Sequence, residues 1–448
     1  MGSGKPLDPA LRILAEAAAA LDARAWVVGG YVRDHLLGRA GDRELDVVVE
    51  AGRGHELAVE FARRTGSAPP VIFERFGTAH VRWQARNVEF ASARAESYGS
   101  GSRKPDVRPA DLDEDLRRRD FTVNTLLMDF EGTVHDRLGG AAEDLRRGIL
   151  RTPLDPHATF TDDPLRMLRA IRFAAQLDFH LDPALLPAMS ELHERLRPPV
   201  ISIERISEEL RKMLLSPRPR QALELLDEAR LLPEILPELS ATKGVAQGGY
   251  HLYDVFGHTV RVVEATPEDL ITRLAALLHD VGKPATAAPD GTFLGHDKLG
   301  AAMSTAALTR LRFSNAVIER VARLVRMHLR PVFYASDWTD GAIRRLARDA
   351  GADLWRLIDL GRADVRASAY DQPEKLDELA ARLRAVAEAQ PERTDPAISG
   401  ADIMRVLGLK PGPAVGRIKE RLEELVMEGD LDPDGESVLR YLTEHPDL

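Results

Sequence analysis

The sequence predicts an α+β N-terminal head, a mixed sheet with helices, followed by an all-α neck, body and tail. Three observations carry that prediction. Short β-branched runs punctuated by glycine fill the first part of the chain, up to about residue 140. From about Asp163 onward the pattern becomes helical, with breaks at Pro198-Pro199, Pro217, Pro219, Pro233, Pro237, Gly248-Gly249 and Pro284. The length of 448 residues exceeds what a single core normally covers. The expected divisions are a head over 1–145, a helical neck over 146–215, a helical body over 216–375 and a helical tail over 376–448.

Taken in order, residues 1–22 are Ala/Leu-rich and helical in pattern. Trp26 to Val28 reads as a strand that meets a tight turn at Gly29-Gly30, with a helix from about Tyr31 to Leu37. Leu45 to Val49 is a second strand, and Val71–Glu74, His80–Trp83 and Asn87–Ala91 are short strands between glycine or charged turns. The segment Gly99-Ser-Gly-Ser102 is flexible in composition and is followed by Arg103 and Lys104. No fixed-period repeat is visible.

Composition narrows the class. Hydrophobic residues make up 44% and charged residues 29%, as in ordinary soluble proteins, and no apolar stretch is long enough to span a membrane. The opening MGSGKPLDP lacks the apolar core of a signal peptide, and the chain has 0 cysteines, which excludes disulfides and thiolate zinc sites. A cytoplasmic protein with no membrane partner is the expectation. The net charge of −10 does not advertise nucleic-acid binding, yet Arg117–Arg119 and the series Arg166, Arg169, Arg172 concentrate positive charge locally.

The chemistry begins at Glu44-Leu45-Asp46. Residues two apart on a strand share a face, so both carboxylates project together, as a two-metal phosphoryl-transfer site requires. An acidic pair at a strand edge is also a common solvated feature. Just upstream, Gly29-Gly30 at a strand-to-helix junction lets backbone N–H groups approach a phosphate, with Arg33 in reach of the same anion. By itself this would be a structural turn with a surface arginine.

The ordered set GGYVRD, ELDVVVE, FGTAHV, EFASAR, EDLRRRDFTVNTL, DRLGG, DDPLRMLRAIRF and SIERISEEL resembles the bacterial class II tRNA nucleotidyltransferase/poly(A) polymerase family over roughly the first 215 residues. The resemblance implies that Gly29, Gly30 and Arg33 hold a triphosphate and that Glu44 and Asp46 bind Mg²⁺. It puts Glu89 at the third acidic position, Arg119 and Asp120 in the nucleotide pocket, and Asn124 in support of them. The family usually has Asp at the position of Glu44, and glutamate is one methylene longer; Asp42 has the parity to compensate. The segment from Ser97 to Pro105 matches the family's flexible loop.

Asp163, Arg166, Arg169 and Arg172 are spaced by three and drift slowly around one helix face, with Pro164 suited to the first turn. Cytosine and adenine both present an amine donor beside a ring-nitrogen acceptor. A carboxylate and a guanidinium answer that order, whereas uracil and guanine present it reversed. Asp163 and Arg166 would therefore choose C and A without a nucleic-acid template, the role that the resemblance gives this motif. Asp162 stands where the family usually has Glu. Arg169 and Arg172 would carry phosphate or incoming nucleotide.

A second constellation follows in the body: His258, His279-Asp280, His296, His328 and Asp364. An adjacent His-Asp after the apolar run Leu274–Leu278 is costly unless paired or bound to metal. The order resembles the HD phosphohydrolase superfamily, which implies a site for a divalent transition metal or Mg²⁺. Lys298 and Arg273 read as surface charges. In the tail, the stretch from Ser399 to Gly416 before an amphipathic helix over Val415–Glu428 reads either as an RNA phosphate nest or as helix packing.

The function implied is template-independent CCA addition to tRNA from CTP and ATP, with an attached phosphohydrolase. An enzyme adding only CC or only A, a poly(A) polymerase, and an HD phosphohydrolase with a degenerate RNA-binding head stay open.

Overall fold

The computed structural model describes residues 8–39, 44–74, 77–97, 106–248, 252–368, 373–389, 396–428 and 430–447. Asp42 and most of the loop after Ser97, including Gly99–Ser102, Arg103 and Lys104, lie outside them. The chain forms two compact units, 1–235 and 236–448.

The first unit opens with helix α1 (Pro9–Leu21), strand β1 (Ala25–Val28), α2 (Gly30–Leu36), β2 (Glu44–Val49) and α3 (Gly54–Thr65). Strands β3 (Val71–Phe73), β4 (Thr78–Trp83) and β5 (Arg86–Ser92) follow, then a hairpin of β6 (Arg94–Ser97) and β7 (Asp106–Pro109). After α4 (Leu112–Arg117) come β8 (Leu127–Met128), β9 (Val134–His135), α5 (Ala141–Arg147) and β10 (Ile149–Leu150). Helices α6 (Pro156–Asp162) and α7 (Leu165–Leu177), strand β11 (His180–Leu181), and helices α8 (Leu185–Leu192), α9 (Ile203–Leu214), α10 (Pro219–Glu228) and α11 (Leu232–Ile235) complete it.

Seven strands form one sheet in the order β3-β4-β5-β2-β1-β8-β9. Only β2 and β5 run parallel within it, so the sheet is mixed, as the sequence predicts. Alternation divides its faces. Leu45, Val47, Val49, Val88 and Phe90 are buried, and Phe90 meets Phe61 of α3. Glu44, Asp46 and Glu89 project from the opposite face. The helical region after the head contains one interruption, a two-residue parallel pair between β10 and β11.

In the second unit the described residues form helices and no strands. They are α12 (Pro237–Ser240), α13 (Val255–Ala265), α14 (Leu270–Leu278), α15 (Lys283–Thr286), α16 (His296–Arg310), α17 (Asn315–Met327), α18 (Leu329–Val332), α19 (Asp340–Ala350), α20 (Leu354–Ala367), α21 (Pro373–Ala389), α22 (Gly400–Leu407), α23 (Pro413–Glu428) and α24 (Gly435–Glu444). Ser399 and Asp402 form a reciprocal capping box on α22. Ile403, Leu422, Val438 and Leu442 are buried together across α22, α23 and α24. Arg273, expected at the surface, is instead buried within α14. The apolar sequence around it places its helix in the interior on all sides. No helix among the described residues is long and apolar enough to cross a membrane.

Candidate functional site

Register brings the head's acidic residues together. Asp46 on β2 is the partner of Glu89 on β5, and on its other side it pairs with Val28, the residue before the glycine turn. Gly29 adopts φ 79° and ψ −143°, a region that side chains other than hydrogen rarely tolerate. A Cβ there would lie 3.1 Å from Asp46 Oδ2, so the glycine is what lets main chain and carboxylate come so close. Glu44 is exposed, two residues before Asp46 on the same face. The donors Glu44, Asp46 and Glu89 are all oxygens, which fits Mg²⁺.

A hydrogen-bonded chain ties the turn to the neck. Arg33 is buried; its Nη1 donates to Asn124 Oδ1 at 2.9 Å, while Nε and Nη2 donate to the two oxygens of Asp34. Asn124 Nδ2 donates to Asp120 Oδ1 at 2.9 Å, and Asp120 Oδ2 accepts from Arg169 Nε at 2.9 Å. Burial alone would raise the pKa of Asp120, but the Arg169 charge and the donated hydrogen bonds outweigh it and hold the carboxyl at about 2. Arg119 Nη2 donates to the buried Asp115. Phe173 lies under three guanidiniums, those of Arg172, Arg33 and Arg169, at 4.0, 5.0 and 5.4 Å.

Two cavities share Asp46, Arg119, Asp120 and Arg169 in their walls. One, of about 310 Å³, adds Glu89, Asp163 and Arg166. The other, of about 570 Å³, adds Gly29, Gly30, Arg33, Glu44, Asn124 and Arg172. The structure thus gathers the predicted nucleotide- and metal-site residues of the head and neck around these two spaces, although Asp162 lines neither and Asp42 lies outside the described residues. Asp163 is not helical: its Oδ1 accepts from Leu165 N, capping α7, and its Oδ2 accepts from Arg205 Nη2 at 3.2 Å. Arg166 donates to the Arg118 carbonyl at 2.7 Å. Arg172 is buried against Glu209, and that burial pulls its pKa below the usual arginine value. Arg205 and Glu209 were not singled out from the sequence. Both lie in the segment Ser202–Leu210, where a capping serine followed by charged residues at helical spacing was the available signal.

In the second unit His258, His279, Asp280, His296, His328 and Asp364 converge. His258 Nε2 lies 2.9 Å from Asp364 Oδ1, and His279 Nε2 lies 3.1 Å from Asp280 Oδ2. Two triads have ligand atoms within 4.8 Å of one another: His258, His279 and Asp364, and Asp280, His296 and His328. The imidazoles of His279, His296 and His328 each direct Nδ1 at a main-chain carbonyl, at 2.7, 2.7 and 2.6 Å. That contact places a proton on Nδ1 and turns Nε2 toward the centre, the usual orientation of metal-bound histidine. His296 and His328 then bring their Nε2 atoms to 3.2 Å. Burial, and after it the His279 charge, depresses the His328 pKa to about 4. Nitrogen and carboxylate donors gathered this closely suit a divalent metal. Lys283, three residues after Asp280, forms an ion pair with it, Nζ to Oδ2 at 2.7 Å, and donates a hydrogen bond to Gln247 Oε1. Gly282 has no room for a side chain: a Cβ would lie 2.3 Å from the His296 carbonyl oxygen.

Sheet, carboxylates and arginine-lined cavities define a nucleotidyltransferase head of the poly(A) polymerase type, joined to a helical unit with an HD centre. Residues 25–151 match the poly(A) polymerase head domain, residues 178–243 the probable RNA and SrmB-binding site of polymerase A, and residues 248–383 the HD domain. The A-adding tRNA nucleotidyltransferase of Deinococcus radiodurans is 37% identical, over 94% of this chain and 96% of its own. The CC-adding tRNA nucleotidyltransferase of Thermus thermophilus is also 37% identical, over 90% of each chain. The fold is similar to that of the Bacillus stearothermophilus CCA-adding enzyme in complex with CTP, with a TM-score of 0.69, 24% identity and 98% of both chains covered. The chain belongs to the tRNA nucleotidyltransferase/poly(A) polymerase family, in a form that carries an HD domain.

Proposed function

We propose that this protein adds C and A, taken from CTP and ATP, to the 3′ end of tRNA without a nucleic-acid template. The observation that carries the proposal is the smaller cavity, whose wall holds Asp163 and Arg166 together with Asp46 and Glu89. A base read by the first pair would have its phosphates beside the second. The triphosphate lies toward Gly29, Gly30 and Arg33, where backbone N–H groups and guanidiniums answer its charge. Asp120 orients Arg169, and Asn124 holds Arg33 and Asp120 in step. Glu89 receives the proton of the attacking 3′-hydroxyl. Mg²⁺ held by Glu44 and Asp46 supplies charge neutralisation for phosphoryl transfer. The head, neck, body and tail divisions at 145, 215 and 375 are the working units of this reading, and the tail grips the tRNA. A cytoplasmic setting accords with the absence of cysteine.

The HD centre would act as a phosphohydrolase. His258, His279, Asp280, His296, His328 and Asp364 would hold the metal, which supplies Lewis-acid polarisation of a phosphoester, and Lys283 faces the same carboxylate.

A second reading has a specific support. The two relatives described above are partial adders, one of A and one of CC. This chain would then complete only part of the CCA end.

The test is incorporation on tRNAs truncated by one, two or three nucleotides, with each NTP in turn. Ordered C, C, A addition supports the first reading, and addition confined to one truncation the second. Unlimited A addition would mark a poly(A) polymerase and sink both. Asp46→Ala should abolish incorporation and spare phosphohydrolysis, whereas Asp280→Ala should do the reverse. Hydrolysis with no incorporation by wild type would leave a degenerate head.

A further inference from the structure

The face of the sheet that carries the carboxylates does not end with them. Register continues it across the parallel and antiparallel ladders: Asp46 pairs with Glu89, Glu89 with His80, and His80 with Val71. His80 Nε2 lies 3.4 Å from Glu89 Oε2, and both side chains are nearly half exposed. On the edge strand β3, Phe73 meets the His80 ring edge-on, with centroids 5.1 Å apart. Phe73 is 41% exposed and Val71 59% exposed. Arg82, two residues from His80 on the same face, is exposed as well. The exposed large apolar side chains of this sheet all lie on β3, with Ile72 on the opposite face, so an open phenyl ring one register pair from the acidic row calls for an occupant.

We infer that Phe73 and His80 form the platform on which the last base of the RNA primer stacks, with its 3′-hydroxyl turned toward Glu89. The inference rests on the nucleotidyltransferase reading and adds the primer side of the same site. Adjacent strands are about 4.8 Å apart, so Glu89 and β3 are separated by roughly 10 Å, the reach of one nucleotide from sugar hydroxyl to base. Glu89 and His80 share a row, with Phe73 one register pair to one side of it and Arg82 one pair to the other. A carboxylate faces the hydroxyl, a ring pair faces the base, and Arg82 is placed for a phosphate. Stacking on a ring is indifferent to base identity, which suits a primer whose last base changes at every step. A protein partner seated on β3 would explain the apolar edge but not its continuity with Glu89.

The experiment uses the full-length protein with Mg²⁺ and a truncated tRNA whose last base is 2-aminopurine. The wild type should quench its fluorescence. Phe73→Ala should lose most of that quench and raise the KM for tRNA by about tenfold, the scale of one stacking contact, with the KM for NTP unchanged. Phe73→Tyr should restore both, and His80→Ala should raise the tRNA KM in the same direction. Unchanged quench and KM in Phe73→Ala would overturn the platform, as would equal losses in the Ala and Tyr variants. A wild type that quenches through Phe73 yet extends no tRNA would keep the platform and overturn the catalytic reading.

Discussion

Asp120 receives Arg169 on one oxygen and Asn124 on the other, so a single buried carboxylate joins the head to helix α7. Its pKa of about 2 lies below the ordinary 3.8, and the stabilisation is therefore full above about pH 4 and lost as pH falls through 2. The shift corresponds to roughly 2 kcal/mol. Asp120→Asn should lower the stability of the first unit by that order at pH 7, and the gap to wild type should narrow between pH 4 and 2. Chemical denaturation at several pH values measures it. With Arg169 unclamped, kcat/KM for incorporation should also fall by about a hundredfold, the effect of losing a positioning contact.

Arg205 competes for the oxygen of Asp163 that would accept from a base amine. Arg205→Ala leaves the Asp163 carboxylate aligned only by its cap to Leu165 N. Discrimination against UTP and GTP should drop by about tenfold while stability changes little, since Arg205 is half exposed. Misincorporation measured with each NTP checks this, and unchanged selectivity would remove Arg205 from the base-reading set.

Gly29→Ala puts a methyl 3.1 Å from Asp46 Oδ2 at a strained backbone setting. Incorporation should fall by two orders of magnitude or about 3 kcal/mol of barrier, with the HD activity intact. Steady-state kinetics of both activities on the same preparation separates a local effect from misfolding.

A divalent cation held at the facing Nε2 atoms of His296 and His328 should stabilise the second unit. Chelation should lower its melting midpoint by about 5 °C. His328→Ala should melt at the same temperature with and without chelator. Calorimetry reads this whether or not the hydrolytic substrate is known.

Much of this was legible in the sequence because local rules govern it. Period-2 alternation puts Glu44 and Asp46 on one face, and the β-branched run fixes their strand. The histidine and aspartate positions of the HD centre follow from order alone. What escaped was non-local or too short. Glu89 could be set with Asp46 only through the family resemblance, because their pairing joins parallel strands distant in sequence, which no local pattern encodes. Strands β8 and β9 have two residues each, too few for a period. Asp163 looked like the start of a helical row, but Pro164 restricts the residue before it to extended backbone, and it became a cap. Arg205 and Glu209 gain meaning only when α9 packs against α7 and supplies their partners.

The crowding at Gly282 locks the His279-Asp280 turn of the HD centre to the start of α16. Its α-carbon rests on the main chain at the start of α16, so the turn bearing His279 and Asp280 cannot slide relative to His296 without breaking that seat. His279, Asp280 and His296 are therefore held at a fixed spacing by main-chain contact rather than by their side chains alone.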